Sequence, residues 1–203
     1  LEIKGDVTVV KCTKFLRPEG FGRNGRMIVD WPDKMGFVEE SIQPIDRNSP
    51  LPERWDRVGG KGGENFTTLP HNGIPYTYDQ RAIPYIENPA ARHVGHFNNE
   101  SYFESIDAVK SGNLEELNRI VVANGRRAIS DSEFADFKAY YDDFQDRVQK
   151  FIGNTDTTYG VKGTAASWTS SSTGEKLMNG GAEQIVTPLN GEMLEIIGVI
   201  PKY

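Results

Sequence analysis

Ser130-Asp131-Ser132-Glu133-Phe134-Ala135-Asp136-Phe137 opens the stretch that decides the fold class. Ser130 and Glu133 have the spacing of a capping box, in which each side chain satisfies a backbone N–H left open by the first helical turn. Beyond it Phe134, Phe137, Tyr141, Phe144, Val148, Phe151 and Ile152 recur at three- and four-residue steps, which places them on one helix face. The spacing predicts a helix of about five turns. Its aromatic stripe needs cover: packing against a β core is the expected use, and a groove for a partner is the alternative.

Upstream, Asn113-Leu114-Glu115-Glu116 repeats the capping pattern, and Leu114, Leu117, Ile120 and Val121 mark a shorter helix ending near Gly125. Outside this segment the pattern changes. Up to about residue 98, Val7-Thr8-Val9-Val10 and Arg26-Met27-Ile28-Val29-Asp30 read as short strands, and eight prolines from Pro32 to Pro89 exclude a long helix. After Gly153 the pattern returns to strands and glycine: Thr155–Tyr159 and Thr164–Thr173 are Thr/Ser-rich, Gln184-Ile185-Val186-Thr187 is strand-like, and the run Met193–Ile200 closes the sequence. The expected architecture is α+β, one domain over residues 1–203, with helices inserted into a β core at about 99–153.

The 203 residues carry 23 Lys and Arg against 29 Asp and Glu, a net charge of −6. That argues against nucleic acid or an anionic membrane as partner, since both require a basic footprint. A small phosphate-bearing ligand needs only one or two well-placed arginines. Cys12 is the single cysteine, so no intramolecular disulfide framework and no multi-cysteine metal site is expected. The longest apolar runs, Ile120–Ala123 and Ile196–Ile200, are far too short to span a bilayer. The first residues lack the charged-then-apolar pattern of a signal peptide. The 21 glycines cluster at 20–25, 59–63 and 174–191, three places where the backbone turns tightly or approaches something closely.

Two of those clusters carry candidate chemistry. In Asp56-Arg57-Val58-Gly59-Gly60-Lys61-Gly62-Gly63-Glu64-Asn65-Phe66, glycines beside Arg57 and Lys61 suit phosphate recognition, or else form a glycine-rich hairpin with a solvated arginine. The Gly-Lys-Ser/Thr ending of a P-loop is absent. In Asn179-Gly180-Gly181-Ala182-Glu183-Gln184, two glycines deliver an acid and an amide onto a strand, where Gln184 can hold a hydroxyl or a water without adding charge. An outward amide after a simple turn is the plainer reading. His71, His93 and His96 lack the companions of a zinc site, so no metal is expected. There is no Gly-x-Ser-x-Gly elbow, and no carboxylate pair stands out among the acids.

In order and spacing these segments resemble the tuberculosis necrotizing toxin family of NAD glycohydrolases. The matching pieces are Trp31-Pro32-Asp33-Lys34-Met35-Gly36-Phe37-Val38, Asp56-Arg57 with Phe66, Gly73-Ile74-Pro75 leading to Arg81-Ala82-Ile83-Pro84, the stretch around His93, Ala166-Ser167-Trp168, and Gly180-Gly181 with Gln184. They cover about residues 25–98 and 158–203. The resemblance implies a compact twisted β core with NAD or NADP as substrate and no separate cofactor. It assigns Gln184 and Arg57 to catalysis, and Arg81, Phe66, His93 and Trp168 to substrate binding, the arginines through phosphates and Phe66 against nicotinamide or its ribose. Val58 stands where the family often carries an aromatic, and 99–153 exceeds the family core.

The implied role is a secreted or delivered toxin effector, part of a larger protein, that hydrolyses NAD(P) in the target-cell cytosol and is blocked at home by a cognate immunity protein. An ADP-ribosyltransferase using the same cleft and a non-catalytic interaction module with the 99–153 helices as its face are the alternatives.

Overall fold

The computed structural model describes residues 16–21, 23, 27–29, 32–83 and 92–202. Val7–Val10, Cys12, Trp31 and Pro84 lie outside the described residues. Among the described residues ten strands and five α-helices follow one another, and the class is α+β. Strands β1 (Leu16–Phe21) and β2 (Met27–Val29) form an antiparallel ribbon. Then come β3 (Gln43–Pro44), β4 (Trp55–Val58), β5 (Asn65–Thr68), a one-turn helix α1 (Tyr78–Arg81) and β6 (Arg92–Gly95). Helices α2 (Asn99–Lys110), α3 (Leu114–Ala123) and α4 (Asp131–Ile152) are consecutive. The chain returns through β7 (Val161–Thr164), β8 (Trp168–Thr169), β9 (Lys176–Met178), β10 (Glu183–Val186) and α5 (Gly191–Ile196).

Six strands form the main sheet in the order β3-β7-β10-β5-β4-β6, and each neighbouring pair is antiparallel. The order interleaves the two ends of the sequence: β10 and β7 sit between β3 and β5. The helical segment therefore leaves the sheet at its β6 edge and the chain re-enters near the other one.

The capping logic holds in detail. Ser130 accepts from Glu133 N, Glu133 reaches back to Ser130 N, and α4 begins at Asp131. Asn113 accepts from Glu116 N, but Glu116 turns away to Arg119, so this cap is one-sided. Phe137, Tyr141, Phe144 and Val148 of the stripe are all buried. Phe137 and Tyr141 join the larger core with Trp55, Phe66, Tyr102, Ile106 and Ile185. Phe144 and Val148 join a smaller one with Phe37, Val161 and Val186. One helix thus packs into both cores, and the partner-groove reading of its stripe is excluded by that cover.

Three stretches of the returning β part are not strands. Thr155–Tyr159 is a loop, because its side chains bond locally: Asp156 accepts from Thr158, and Thr157 donates to Gln145 of α4 at 2.7 Å. The closing run Met193–Ile200 lies partly in α5, capped by Asn190 through Met193 N. Its helical spacing buries Leu194 and Ile197 together, which outweighs the β propensity of a branched apolar run. Ser170–Thr173 is also a turn, closed by Gly174 N on Ser170 O.

Candidate functional site

Register decides which side chains meet. Gln184 of β10 pairs with Thr67 of β5, and Thr67 pairs with Asp56 of β4. This cross-strand row points to one sheet face, and the adjoining row, with Ile185 opposite Phe66, points to the other. On the Gln184 face the sheet carries a cleft of about 420 Å³. Its lining includes Met35, Glu64, Arg81, Arg147, Trp168 and Gln184, drawn from both ends of the sequence and from the helical segment between them.

Gln184 is half-buried, and its Nε2 reaches Gly36 O at 3.4 Å. Glu183, one residue earlier, points to the other face by strand alternation and lines a second cavity of about 480 Å³, which Gln184 also borders, but not the 420 Å³ cleft. The loop before β10 is docked onto α1. Asp79 accepts from Asn179 N and Nδ2, Gly180 N donates to Asp79 O, and Ala182 N donates to Gln80 O. Hydrogen bonding by Asn179 holds the Asp79 carboxyl below its ordinary value. Gly180 has φ +73°, and a Cβ there would come within 2.5 Å of Ala165 O. The glycine is what lets this loop lie close.

Arg81, the last residue of α1, is buried and fully engaged. Nη1 and Nη2 donate to the two oxygens of Asp56 at 2.8 and 2.6 Å, and Nε donates to Tyr76 O at 2.8 Å. Arg92 Nε adds a third donor to Asp56 at 2.7 Å. Two guanidiniums on one carboxylate leave a surplus positive charge at this end of the cleft. Arg92 belongs to that cluster although no motif pointed to it. Its strand position opposite Val58 becomes visible only once β4 and β6 are paired.

Arg57 and Phe66 make contacts in the structure that the resemblance did not imply. Arg57 follows Asp56 in β4 and turns to the opposite face, where its guanidinium lies 5.6 Å from the Phe66 ring centre. It borders the cleft, but Nη1 donates to Asn65 O at 2.8 Å and Nη2 to Gly60 O at 2.6 Å. The guanidinium thus braces the 59–63 loop, and a Cβ on Gly63 would collide with it. Phe66 has no exposed surface and packs edge-on to Trp55 and Phe97 at 4.8 and 5.2 Å. In this conformation its ring is out of reach of a ligand in the cleft. His93 pairs across the ladder with Arg57 and falls outside the cleft lining. Trp168 lines the cleft while almost wholly buried, and Val58 supplies an aliphatic wall.

Backbone strain gathers at the same place. Lys34, Met35 and Ala82 have φ near +55°, the non-glycine residues described there with left-handed backbone. Met35 and Ala82 line the cleft. Such conformations cost on the order of 1–3 kcal/mol each and concentrate at functional sites. Among the described residues no group of three or more His, Cys, Asp or Glu is placed to hold a metal ion. No described helix is long and apolar enough to cross a membrane.

No family model matches the chain, and no curated protein matches it. Among solved structures, the tuberculosis necrotizing toxin complexed with its immunity factor overlays 98% of this chain and 83% of that chain, with 13% sequence identity and a TM-score of 0.45. A likeness this loose assigns no residue.

Proposed function

We propose that this cleft hydrolyses the nicotinamide–ribose bond of NAD or NADP, giving nicotinamide and the corresponding ADP-ribose. The observation that carries the reading is the Gln184–Thr67–Asp56 row, which sets the Gln184 amide on the same sheet face as Asp56 and the Arg81 and Arg92 guanidiniums bound to it, with Gln184, Thr67 and Arg81 lining the cleft. A neutral polar group beside a cationic end suits a ligand with a pyrophosphate and a bond to be broken next to it. The nicotinamide ring departs neutral, so no general acid is needed at the leaving group. The ribose takes up the developing positive charge. The protein's part is to hold the phosphates and to set the Gln184 carbonyl near the anomeric carbon or the attacking water. The sequence motifs support the same chemistry, with phosphate binding moved from Arg57 towards the Arg81–Arg92 cluster.

The purified chain is incubated with NAD or NADP and no acceptor, and nicotinamide is followed by chromatography. Stoichiometric release supports hydrolysis. Slow release that rises with added protein acceptor indicates the transferase instead. No release, with no thermal shift from NAD or ADP-ribose, leaves the interaction module. In the leading reading the chain is a delivered toxin domain that depletes target-cell dinucleotide, and its producer holds an immunity protein that blocks the cleft. A pull-down from the producing cell that recovers nothing specific counts against that partner.

A further inference from the structure

Glu64 is the one carboxylate among the described residues that line the cleft. Three donors hold it. Arg147 Nη1 donates to Oε1 at 2.6 Å, Arg147 Nη2 to Oε2 at 2.9 Å, and Tyr140 Oη to Oε2 at 2.5 Å. Both partners stand on α4, so the helical segment reaches into the cleft. Burial and the neighbouring Glu64 push the Tyr140 phenol well above its ordinary value, which keeps it a donor. An ionised carboxylate has about four lone-pair sites, and three are taken. The remaining one is on Oε1.

Glu64 carries the negative charge at this end of the cleft. Arg147 Nε also donates to Asp143 at 2.8 Å, so Glu64 and Asp143 share that guanidinium, and Arg57 brings a second positive charge to the same stretch of the lining. The Asp56–Arg81–Arg92 end is positive. Glu64 lies three residues from Thr67, whose row holds Asp56 and Gln184, a span of at most about 10 Å.

We propose that Glu64 is a second substrate-contacting group, accepting a hydroxyl of the nicotinamide ribose through Oε1, with Tyr140 and Arg147 as positioning residues. The cleft then orients its ligand: the cationic nicotinamide–ribose end lies at Glu64 and the pyrophosphate towards Arg81 and Arg92. This rests on the dinucleotide-hydrolase reading above. As the C–N bond breaks, its electron pair leaves with the ring and the positive charge moves onto the ribose carbon. Water then adds to that carbon and loses its proton to solvent. A fixed negative charge beside the ribose, not beside the ring, favours the state in which the charge has moved.

The test is steady-state hydrolysis of NAD and of its 2′-deoxy and 3′-deoxy nicotinamide-ribose analogues by wild type, Glu64→Gln and Tyr140→Phe, with calorimetric binding of ADP-ribose. Glu64→Gln is expected to lower kcat by about 10²-fold, far more than it changes KM. Tyr140→Phe should lower kcat by about tenfold, the scale of one hydrogen bond to a charged group. One deoxy analogue should be as poor for wild type as for Glu64→Gln, since the two removals delete the same contact. A merely structural Glu64 would lower the melting temperature and ADP-ribose affinity while leaving the analogue losses additive, and that result overturns the proposal. So does wild-type kcat in Glu64→Gln. If Glu64→Gln does not fold, Tyr140→Phe decides, and wild-type kcat there overturns it too. Wild type that releases no nicotinamide overturns the hydrolase reading and this inference with it, whereas active wild type with indifferent variants overturns this inference alone.

Discussion

The Arg81 guanidinium meets the Asp56 carboxylate fork to fork, at 2.8 and 2.6 Å, with side-chain exposures of 3% and 0%. This pair ties the one-turn helix α1 to β4, the strand next to the β6 edge of the sheet. Through Asp79 and Gln80 the same helix holds the loop that leads into Gln184. The ion pair therefore supports the cleft from beneath, and its main measurable effect should be on stability.

Asp56→Asn keeps the shape but leaves Arg81 buried without its countercharge. Breaking a buried pair in this way costs about 3–5 kcal/mol, and equilibrium denaturation should show it as an earlier midpoint. Arg81→Lys should recover little, because an ammonium cannot reproduce the two parallel bonds of the guanidinium. A wild-type midpoint in Asp56→Asn would mean that solvent already screens the two guanidiniums.

Phe137→Ala and Phe144→Ala probe the two cores that α4 joins. Both rings are buried, and each truncation should cost about 3–5 kcal/mol. Their effects should be close to additive, because Phe137 and Phe144 belong to different clusters. Melting indistinguishable from wild type in both variants would show that the stripe is not the seam between helix and sheet.

Gln184→Ala should leave the melting temperature nearly unchanged and cut NAD turnover by about 10²–10³, the scale for deleting one preorganised polar group. Glu183→Ala is the internal control, since Glu183 does not line the 420 Å³ cleft that Gln184 lines. Equal turnover losses in the two variants would remove the face argument. Wild-type turnover in Gln184→Ala would remove Gln184 from the chemistry.

Acid should weaken the fold through carboxyls whose folded values are lowered. Asn179 lowers Asp79, and the backbone of Ser130 lowers Glu133. For a lowered carboxyl the stabilisation is complete above the unfolded value, about pH 4, and is lost as pH falls through the folded value. The melting temperature should thus be level from pH 7 to 5 and fall below about pH 4. Asp79→Asn removes one titrating group, so its acid-induced fall should be shallower than that of wild type.

Much of the helical segment was legible because its signals are local. The Ser130–Glu133 capping box and the Phe137–Tyr141–Phe144–Val148 spacing lie within a few turns of chain, and a helix is decided within that range. The convergence of Gln184, Trp168 and Arg81 on one cleft came from the order of motifs, without their geometry. The closing run from Met193 fits either period because its apolar residues are branched, and the Asn190 cap is the local signal that decides for a helix.

The side on which each site residue works was a different matter. Alternation along β4 fixes only that Asp56 and Arg57 point oppositely; which of them meets Gln184 depends on strands from the far end of the chain pairing in one register. A one-residue slip would exchange their faces. The same holds for Glu64 and Arg147, brought together across 83 positions, with no sequence pattern linking them. Local periodicity and capping determined where the helices and several strands form, since those depend on neighbours in the chain. Tertiary pairing alone decided which charges face the cleft, because that depends on which strand lies beside which.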